Sequence, residues 1–423
     1  MIPCMNPCMN PAPTARTRPP GSAPGARRAR GITLIELMVG MVIGLLATLV
    51  ITQVATVFEG RKRSTTSGSD AQVNGALALQ TLQRDILTAG YGFTSGGVAG
   101  CTQIRGQVGG TAYTWTMAPV LITQGSGGSA TVSGGPDTVQ VLMSSNSNFS
   151  LPMRVATAHR RDGNTFVLDT RTNVGNAVGD LVMAVPPSSG PTSASPTNPT
   201  TQVTPNWCSL FNITAISGAN LTHDTGSTGP WNQDSTSTVF PGSLGADISY
   251  AASTTPNVVA SNSYLVNLGT MTDRTYRIPQ SGDGDYATYP PNSLLMRSFV
   301  TSAPASPTVV PLFSQVVTLQ AVYGLDTNAD KAVDTWTTTS PTTSAGWDQL
   351  VAVRIALVAR SNQYEKDVVT ATEPTWLWNG SDAQTLSIAG YVPCDSGDSG
   401  CWQHYRYRVY ETVVPLRNMI WRS

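Results

Sequence analysis

Residues 27–46, RRARGITLIELMVGMVIGLL, decide how this chain is organised. Arginines lead into Gly31, and an apolar stretch with a single acid, Glu36, runs from there to Phe58. The stretch contains no proline, which favours an unbroken helix, and it exceeds the roughly 20 residues that a helix needs to cross a bilayer. A carboxylate is costly in a segment of this kind, so Glu36 needs an explanation.

Three explanations of Glu36 are open from the residues alone. Its carboxylate could reach the headgroup region from the helix end. It could mark a path for ions or protons, although a single span with no other buried ionisable group fits such a path poorly. The third explanation needs cleavage after Gly31, because Ile32 would then carry a positively charged amine one helical turn from Glu36. The two charges could neutralise each other within one chain or between neighbouring chains.

The chain of 423 residues has a low charge density and an uneven charge distribution. Charged residues make up only 12%, whereas the 39 glycines and 29 prolines favour short strands joined by many loops. Residues 1–31 hold five arginines and no acid, so the rest of the chain carries a net charge of −5. This positive charge ahead of the apolar stretch favours a cytoplasmic N-terminus. No basic patch with interleaved aromatic residues occurs, so nucleic acid is not predicted as a partner.

The residues behind the apolar stretch predict a hinge and a second helix. Residues 60–70, GRKRSTTSGSD, predict a polar hinge that loosens the helix, and Asp70 fits an N-cap. Residues 71–89 then show apolar side chains at steps of three and four, which predicts an amphipathic helix that ends at Gly90. The apolar stripe consists of Leu79, Leu82, Ile86 and Ala89.

The chain beyond residue 93 predicts β structure. Short β-branched runs bounded by Gly, Pro, Asn and Ser recur, which is typical of strands. The clearest runs are residues 137–143, 164–170, 179–185, 264–268 and 350–358. Residues 186–205 contain six prolines among Ser and Thr and predict an exposed loop, and residues 216–262 predict a loop-rich segment.

Gly31 followed by ITLIELMV resembles the cleavage and methylation signature of type IV prepilins and of type II secretion pseudopilins. The resemblance implies that a prepilin peptidase cuts between Gly31 and Ile32 and N-methylates Ile32. Glu36 matches the glutamate at the fifth position of the mature proteins, which is thought to pair with the amine of an adjacent subunit. Ile32 stands where phenylalanine is commoner in the family.

Segments further along the chain resemble one subgroup, the PilW-type minor pilins. LQRDILTAGYGF (82–93) resembles the end of their N-terminal helix, and residues 312–334 resemble their helix, strand and acidic loop. Residues 350–360 and 407–421 resemble their closing strands. The resemblance implies an α+β, type IV pilin-like fold. In this fold a long N-terminal α-helix with a membrane-spanning first half packs on a large antiparallel β-rich globular domain.

The patterns and the resemblance together divide the chain into four parts. They are a basic leader that is cleaved off (1–31), a transmembrane and filament-core helix (32–58), a polar hinge with an amphipathic helix continuation (59–92) and a β-rich periplasmic globular domain (93–423). The resemblance implies a single-pass protein of the inner membrane in a Gram-negative-type envelope, which then enters the fibre or tip of a type IV pilus. The expected partners are prepilin peptidase, the major pilin, other minor pilins, the pilus assembly platform and a tip adhesin.

The resemblance implies the function of a minor pilin, a structural subunit that is incorporated into a type IV pilus or primes its assembly, without enzymatic activity. A minor pseudopilin of a type II secretion system is an alternative because it shares the N-terminal signature. A membrane-anchored periplasmic enzyme or binding module is an alternative of another class.

GDSG at 397–400 is similar to the nucleophile segment of chymotrypsin-like proteases, with Ser399 as nucleophile and His159 as base. Cys401 replaces a glycine of that segment, so this interpretation is the weaker one.

The cysteines predict disulfide bonds. Two of the six lie in the leader, and an even number of the others in an exported chain favours disulfides, for which four cysteines allow three pairings. Cys394 and Cys401 enclose a short turn-forming segment and are the natural local pair, which leaves Cys101 with Cys208. A metal site is the weaker interpretation because no CxxC motif occurs and the three histidines are scattered.

One acidic turn has the spacing of a calcium loop. Positions 1, 3, 5 and 9 of that template are occupied by Asp326, Asn328, Asp330 and Asp334. Alternating oxygen ligands suit a hard cation, so calcium is the one cofactor that the sequence suggests. Lys331 stands where the template has glycine, and Thr337 replaces the bidentate glutamate. A solvated acidic turn without any cofactor is an equally good interpretation.

Overall fold

The computed structural model describes residues 31–92, 101–128, 133–145, 152–157, 159, 163–169, 175–185, 207–226, 229–232, 263–304, 307–394 and 398–420. The chain divides into two compact units at Arg61 and Lys62. The helices are α1 (Leu34–Thr88), α2 (Ser344–Asp348) and α3 (Arg417–Ile420), and Cys401–His404 forms a short 3-10 helix. The strands are β1 (Gln103–Val108), β2 (Thr111–Thr116), β3 (Val120–Thr123), β4 (Thr138–Ser144), β5 (Met153–Arg154), β6 (Thr165–Val167), β7 (Leu181–Val185), β8 (Trp207–Asn212), β9 (Ala215–Ser217), β10 (Asn220–Thr222), β11 (Tyr264–Gly269), β12 (Met271–Arg277), β13 (Ser293–Val300), β14 (Thr308–Ser314), β15 (Val316–Leu325), β16 (Thr335–Thr337), β17 (Leu350–Arg360), β18 (Thr375–Leu377), β19 (Ala383–Thr385) and β20 (Tyr407–Pro415).

Helix α1 includes all of residues 60–70, the segment predicted as a polar hinge. The prediction that a second helix begins at Asp70 is therefore wrong. Extending an existing helix needs no new nucleus, and the polar residues of this segment, apart from its glycines, cost little free energy in a helix. The boundary between the two units falls within the same segment.

The C-terminal turns of α1 belong to the second unit and bury one face against its strands. Gly90 follows with a φ of 74°, the left-handed conformation with which glycine ends a helix. The apolar stripe predicted from the sequence is confirmed. Leu79 is half-buried, and Leu82, Ile86 and Ala89 are fully buried. Ala78, which was not part of the prediction, is fully buried as well.

Two antiparallel sheets enclose the main core together with this part of α1. One sheet has the strand order β14-β13-β12-β4-β3, and the other has the order β16-β15-β17-β20. Side chains from both sheets form one hydrophobic cluster with the buried stripe of α1. The first nine residues of β15 are all buried, because the strand lies in the interior of its sheet and is covered on both faces.

A second core lies in the sheet with the order β2-β1-β8-β7-β11-β5. Trp115 packs there against Trp231 and Phe299, with ring-centroid distances of 6.0 and 5.6 Å. The pairing of β1 with β8 is parallel, whereas the other described strand pairs are antiparallel. A small sheet, β6-β10-β9, buries Phe166 and Leu221 beside it.

Most of the β structure predicted from the sequence is confirmed. The five predicted runs correspond to β4, β6, β7, β11 and β17, with ends that differ by up to three residues. The helix expected at the start of residues 312–334 is wrong, because β14 and β15 occupy that segment and only Gln315, with a φ of 64°, separates them. β-Branched residues favour strands here, and pairing with β13 and β17 satisfies the backbone.

The predicted loops are only partly described. Residues 186–205 lie outside the described residues, as do most of residues 216–262. Within the latter range β10 pairs with both β6 and β9, so this part is a strand and not a loop. Cross-strand pairing with distant β6 stabilises a segment whose own composition is polar.

Candidate functional site

The first turn of α1 is closed by a reciprocal pair of hydrogen bonds. The N–H of Glu36 donates to Oγ1 of Thr33 over 3.3 Å, while the N–H and the hydroxyl of Thr33 both donate to Oε2 of Glu36 over 3.1 Å. This arrangement is a capping box, in which Thr33 is the N-cap and Glu36 the third residue of the helix. The negative charge of Glu36 also complements the helix dipole. Glu36 thus starts the helix as well as matching the fifth position of the signature.

The peptide bond predicted for cleavage lies directly in front of this capping box. Gly31, Ile32 and Thr33 precede the helix and are exposed, with Ile32 at 76%. A side chain at Gly31 would meet no atom within 4 Å. Gly31 and Ile32 thus lie in an exposed segment directly before the helix, and Glu36 lies in the first turn of the helix. Cleavage between Gly31 and Ile32 stays a prediction.

The helix beyond Glu36 exposes apolar side chains all round. Every residue from Gly31 to Arg61 is exposed, although a helix that is apolar on all faces is ordinarily buried in a protein or in lipid. Leu34–Lys62 is long and apolar enough to cross a membrane. The hydroxyls in this stretch bond to the helix itself over 2.9 Å, as Thr48, Thr52 and Thr56 each donate to a carbonyl three residues earlier. Such internal pairing suits a non-polar environment.

The opposite end of α1 is fixed to the β domain by a buried polar cluster. Asp85, which is 3% exposed, accepts a hydrogen bond from the hydroxyl of Tyr276 and lies 2.7 Å from Nη1 of Arg274. Burial and the bond to Asp85 raise the pKa of Tyr276. Asp85 lies in the quoted segment LQRDILTAGYGF, but its role could not be seen there because both partners lie on β12.

The carbonyl groups at the end of α1 are bound by the C-terminal segment of the chain. Nδ2 of Asn418 on α3 donates to the carbonyl oxygens of Thr88 and Ala89, over 3.3 and 2.9 Å. The N–H of Gly90 donates to the carbonyl of Leu142. Helix ends leave carbonyls without a partner in the helix, so Asn418 acts as a remote cap.

The structure contains two disulfide bonds within its described residues. Cys101 is bonded to Cys208, and Cys394 is bonded to Cys401, with Cα–Cα distances of 5.7 Å in both. The first bond joins the residue two positions before β1 to β8, and the second joins Cys394 to the first residue of the 3-10 helix. This pairing is the one that the local spacing of Cys394 and Cys401 favours.

The acidic turn is organised by hydrogen bonds within its own loop. Both carboxylate oxygens of Asp326 accept backbone N–H groups, including that of Lys331, whose φ of 68° is the left-handed conformation that favours glycine. Thr327 and Asn328 donate to Asp334, and the N–H of Thr327 lowers the pKa of Asp334. Among the described residues, no group of three or more His, Cys, Asp and Glu side chains could hold a metal ion. Calcium binding stays a prediction.

The protease-like residues occupy different environments. Nε2 of His159 lies 2.8 Å from Nε2 of His223, and the ring of His159 is stacked on Phe166 at a centroid distance of 3.8 Å. Ser399 is exposed and lies two residues before the 3-10 helix that begins at Cys401. The structure therefore gives the proposed base a histidine partner and places the proposed nucleophile at the surface of another element.

Comparison with protein families finds matches for two segments of the chain, one near each end. Residues 26–52 match the prokaryotic N-terminal methylation motif, and residues 275–418 match the type IV pilus-assembly protein W family. These two matches support a PilW-type, type IV pilin-like protein. The search of curated proteins and the search of solved structures each gave no match.

The two matched segments contain the residues described above at the two ends of α1. The methylation motif contains Gly31, Ile32 and Glu36, and the PilW match contains Tyr276 and Asn418, which bind the end of α1. The predicted PilW-type relationship and the α+β fold are both confirmed. The families point to a structural protein of the pilus, and the motif with its apolar helix fits membrane anchoring.

Proposed function

We propose that this PilW-type protein is a minor pilin, a subunit that enters a type IV pilus or primes its assembly. A prepilin peptidase would cut between Gly31 and Ile32 and methylate the new amine of Ile32. The observation that supports this proposal best is the position of Glu36. It is the one acid between Ile32 and Phe58, and it lies in the first turn of an exposed apolar helix, bonded to its neighbour Thr33.

The apolar helix would anchor the subunit before assembly. In this state it lies in the inner membrane of a Gram-negative-type envelope, with the β-rich domain in the periplasm. In a filament, the helices of the major pilin and of other minor pilins bury the same apolar surface against one another. Apolar surface that would otherwise meet water outside the membrane is worth about 25 cal/mol per Å² when it is buried, so helix packing can replace the lipid. The pilus assembly platform would carry out this transfer, and a tip adhesin is a further partner.

Glu36 would set the axial position of each subunit. A carboxylate inside a dry bundle of helices costs several kcal/mol when it is unpaired. The amine that cleavage creates at Ile32 of a neighbouring subunit is a partner of opposite charge. In that pairing, the carboxylate of Glu36 would exchange its hydrogen bonds from Thr33 for a contact with the charged amine of the neighbouring subunit.

The proposal is tested by the substitution Glu36→Ala in a piliated host. The variant is expected to be cut after Gly31, which N-terminal sequencing of the purified protein would show as N-methylated Ile32, but to be absent from sheared pili. Glu59→Ala on the same helix is the matched control and is expected to enter the pili.

Two results would contradict the proposal. One is a purified wild-type protein that keeps its leader in cells with an active prepilin peptidase. The other is normal incorporation of Glu36→Ala into pili. A deletion strain with intact pili and impaired protein secretion would indicate the type II secretion pseudopilin instead.

A further inference from the structure

A cleft opens between three parts of the second unit. Its floor is the middle of β15, and its walls are residues 124–128 and 133–134, which follow β3 and precede β4, and the hairpin of β18 and β19. Its volume is about 440 Å³, which lies within the range of roughly 300–1,000 Å³ that is common for small-molecule sites. The side chains that line it include Gln124, Ser133, Gln320, Trp376, Trp378 and Gln384.

Glycines shape the first wall. The two described ends of the loop, residues 124–128 and 133–137, run side by side, and the N–H of Gly135 donates to the carbonyl of Ser126 over 2.9 Å. A Cβ atom at Gly125 or at Gly134 would overlap the backbone of the opposite strand of the loop. The wall therefore presents backbone groups to the cleft, and Gly127 and Gly128 are exposed there.

A buried carboxylate fixes this wall to the floor. Oδ1 of Asp137 accepts the N–H of Gly125 and Oδ2 accepts the N–H of Ala321, both over 2.8 Å. Nε2 of Gln124 adds a bond of 3.1 Å to the carbonyl of Ala321. The cleft is thus formed by the fold itself, which reduces the entropy that a ligand would lose by ordering it.

The second wall is aromatic. Trp376 is buried, and its Nε1 donates to Oε1 of Gln384 over 3.2 Å. Trp378 is half-buried, and its Nε1 is buried without a hydrogen-bond partner among the described residues. An unpaired buried N–H costs free energy, and a small rotation of this ring would offer it to an acceptor on a ligand.

We propose that this cleft binds a short segment of a neutral carbohydrate. Sugar rings carry C–H groups on their faces, which pack on indole rings, and hydroxyls on their edges, which bond to amides and hydroxyls. The cleft offers the half-buried indole of Trp378 on one side and backbone groups on the other. Glutamine side chains lie on its floor and rim, and Gln124 and Gln320 each use Nε2 for a hydrogen bond within the protein. None of the described residues that line it is charged, so an acidic or basic ligand would find no partner for its charge among them.

The proposal is independent of the role of the protein as a minor pilin. It assigns a ligand to the globular domain, whereas assembly depends on α1. A failure of either proposal therefore leaves the other intact.

The experiment uses the purified full-length protein in lauryldimethylamine oxide, a detergent without a sugar headgroup. Cellohexaose, maltohexaose and hexa-N-acetylchitohexaose are added at up to about 10 mM, so that dissociation constants in the millimolar range are detected by saturation-transfer NMR. At least one neutral hexasaccharide is expected to bind. Trp378→Ala and, as a second variant with an exposed side chain, Gln124→Ala are each expected to weaken that binding by tenfold or more.

Trp402→Ala is the matched control, because Trp402 packs partly buried on the same hydrophobic cluster as Trp378 but does not line the cleft. It is expected to bind as the wild type does. Absence of binding by all three sugars would overturn the proposal, as would equal binding by the wild type and the Gln124→Ala variant. Binding of an acidic alginate oligomer or of a proline-rich peptide in place of the neutral sugars would also overturn it.

Discussion

Asp85 on α1 accepts a hydrogen bond from the hydroxyl of Tyr276 on β12, a residue 191 positions further along the chain. Asp85 is buried at this point, so the hydroxyl of Tyr276 and the guanidinium of Arg274 replace water as its partners. A buried carboxylate is costly without such partners. The apolar stripe makes α1 pack on the sheets, and this polar contact specifies where along β12 it packs.

Removing the hydroxyl of Tyr276 should destabilise the β domain. Tyr276→Phe is expected to lower the free energy of unfolding by about 1–3 kcal/mol, because buried Asp85 loses a donor. Tyr410→Phe is the matched control. The hydroxyl of Tyr410 is buried without a hydrogen-bond partner among the described residues, so its removal should change stability by less than about 0.5 kcal/mol or increase it. Thermal unfolding of the full-length protein in detergent measures both, and equal losses would refute the role of Asp85.

Two glycines of α1 should respond in opposite ways to the same substitution. A Cβ atom at Gly75 would overlap the ring of Tyr410 and lie 3.0 Å from Cβ of Ala359. Gly75→Ala is therefore expected to cost about 1–3 kcal/mol through overpacking. A side chain at Gly68 would meet no atom within 4 Å. Gly68→Ala is expected to stabilise the helix by up to about 1 kcal/mol. Melting temperatures that change in the same direction would contradict the close packing of α1 on β20.

Asp137 should make the fold less stable as pH rises. Burial raises its pKa to about 7 even though backbone N–H groups of Gly125 and Ala321 oppose this shift. Between about pH 4 and 7 the folded state then binds a proton that the unfolded state has lost, so the free energy of unfolding decreases with pH. The decrease is about 1.4 kcal/mol per pH unit and about 4 kcal/mol in total. Asp137→Asn should remove this contribution to the slope of stability against pH.

His223 should act in the opposite sense. Burial, followed by the charge of His159, lowers its pKa to about 3, so between about pH 3 and 6.5 the unfolded state binds the additional proton. The free energy of unfolding should therefore fall as pH falls, by about 2 kcal/mol between pH 6.5 and 5. His223→Gln should remove this acid sensitivity, while His404→Gln serves as the control histidine. Because the contributions of Asp137 and His223 partly cancel in the wild type, each variant is compared with the wild type over the whole pH range.

The sequence predicted those features whose causes are local. The cleavage signature, the apolar helix and the stripe of Leu82 and Ile86 depend on residues a few positions apart, and β-branched runs marked most central strands. The helix start at Asp70 and the helix at residue 312 were wrong for the same reason. In both places the structure of the neighbouring backbone, an existing helix or two partner strands, outweighs the preference of the residues themselves.

The sequence by itself determined that this protein has a long apolar N-terminal helix with a processing signature, because length, hydropathy and spacing suffice for that conclusion. Only the tertiary structure decided the partners of Asp85, the proximity of His159 and His223, and the cleft between β15 and the hairpin of β18 and β19. Each of these brings together residues that are far apart in the chain. Such contacts depend on how sheets close and pack, and no pattern within one segment encodes them.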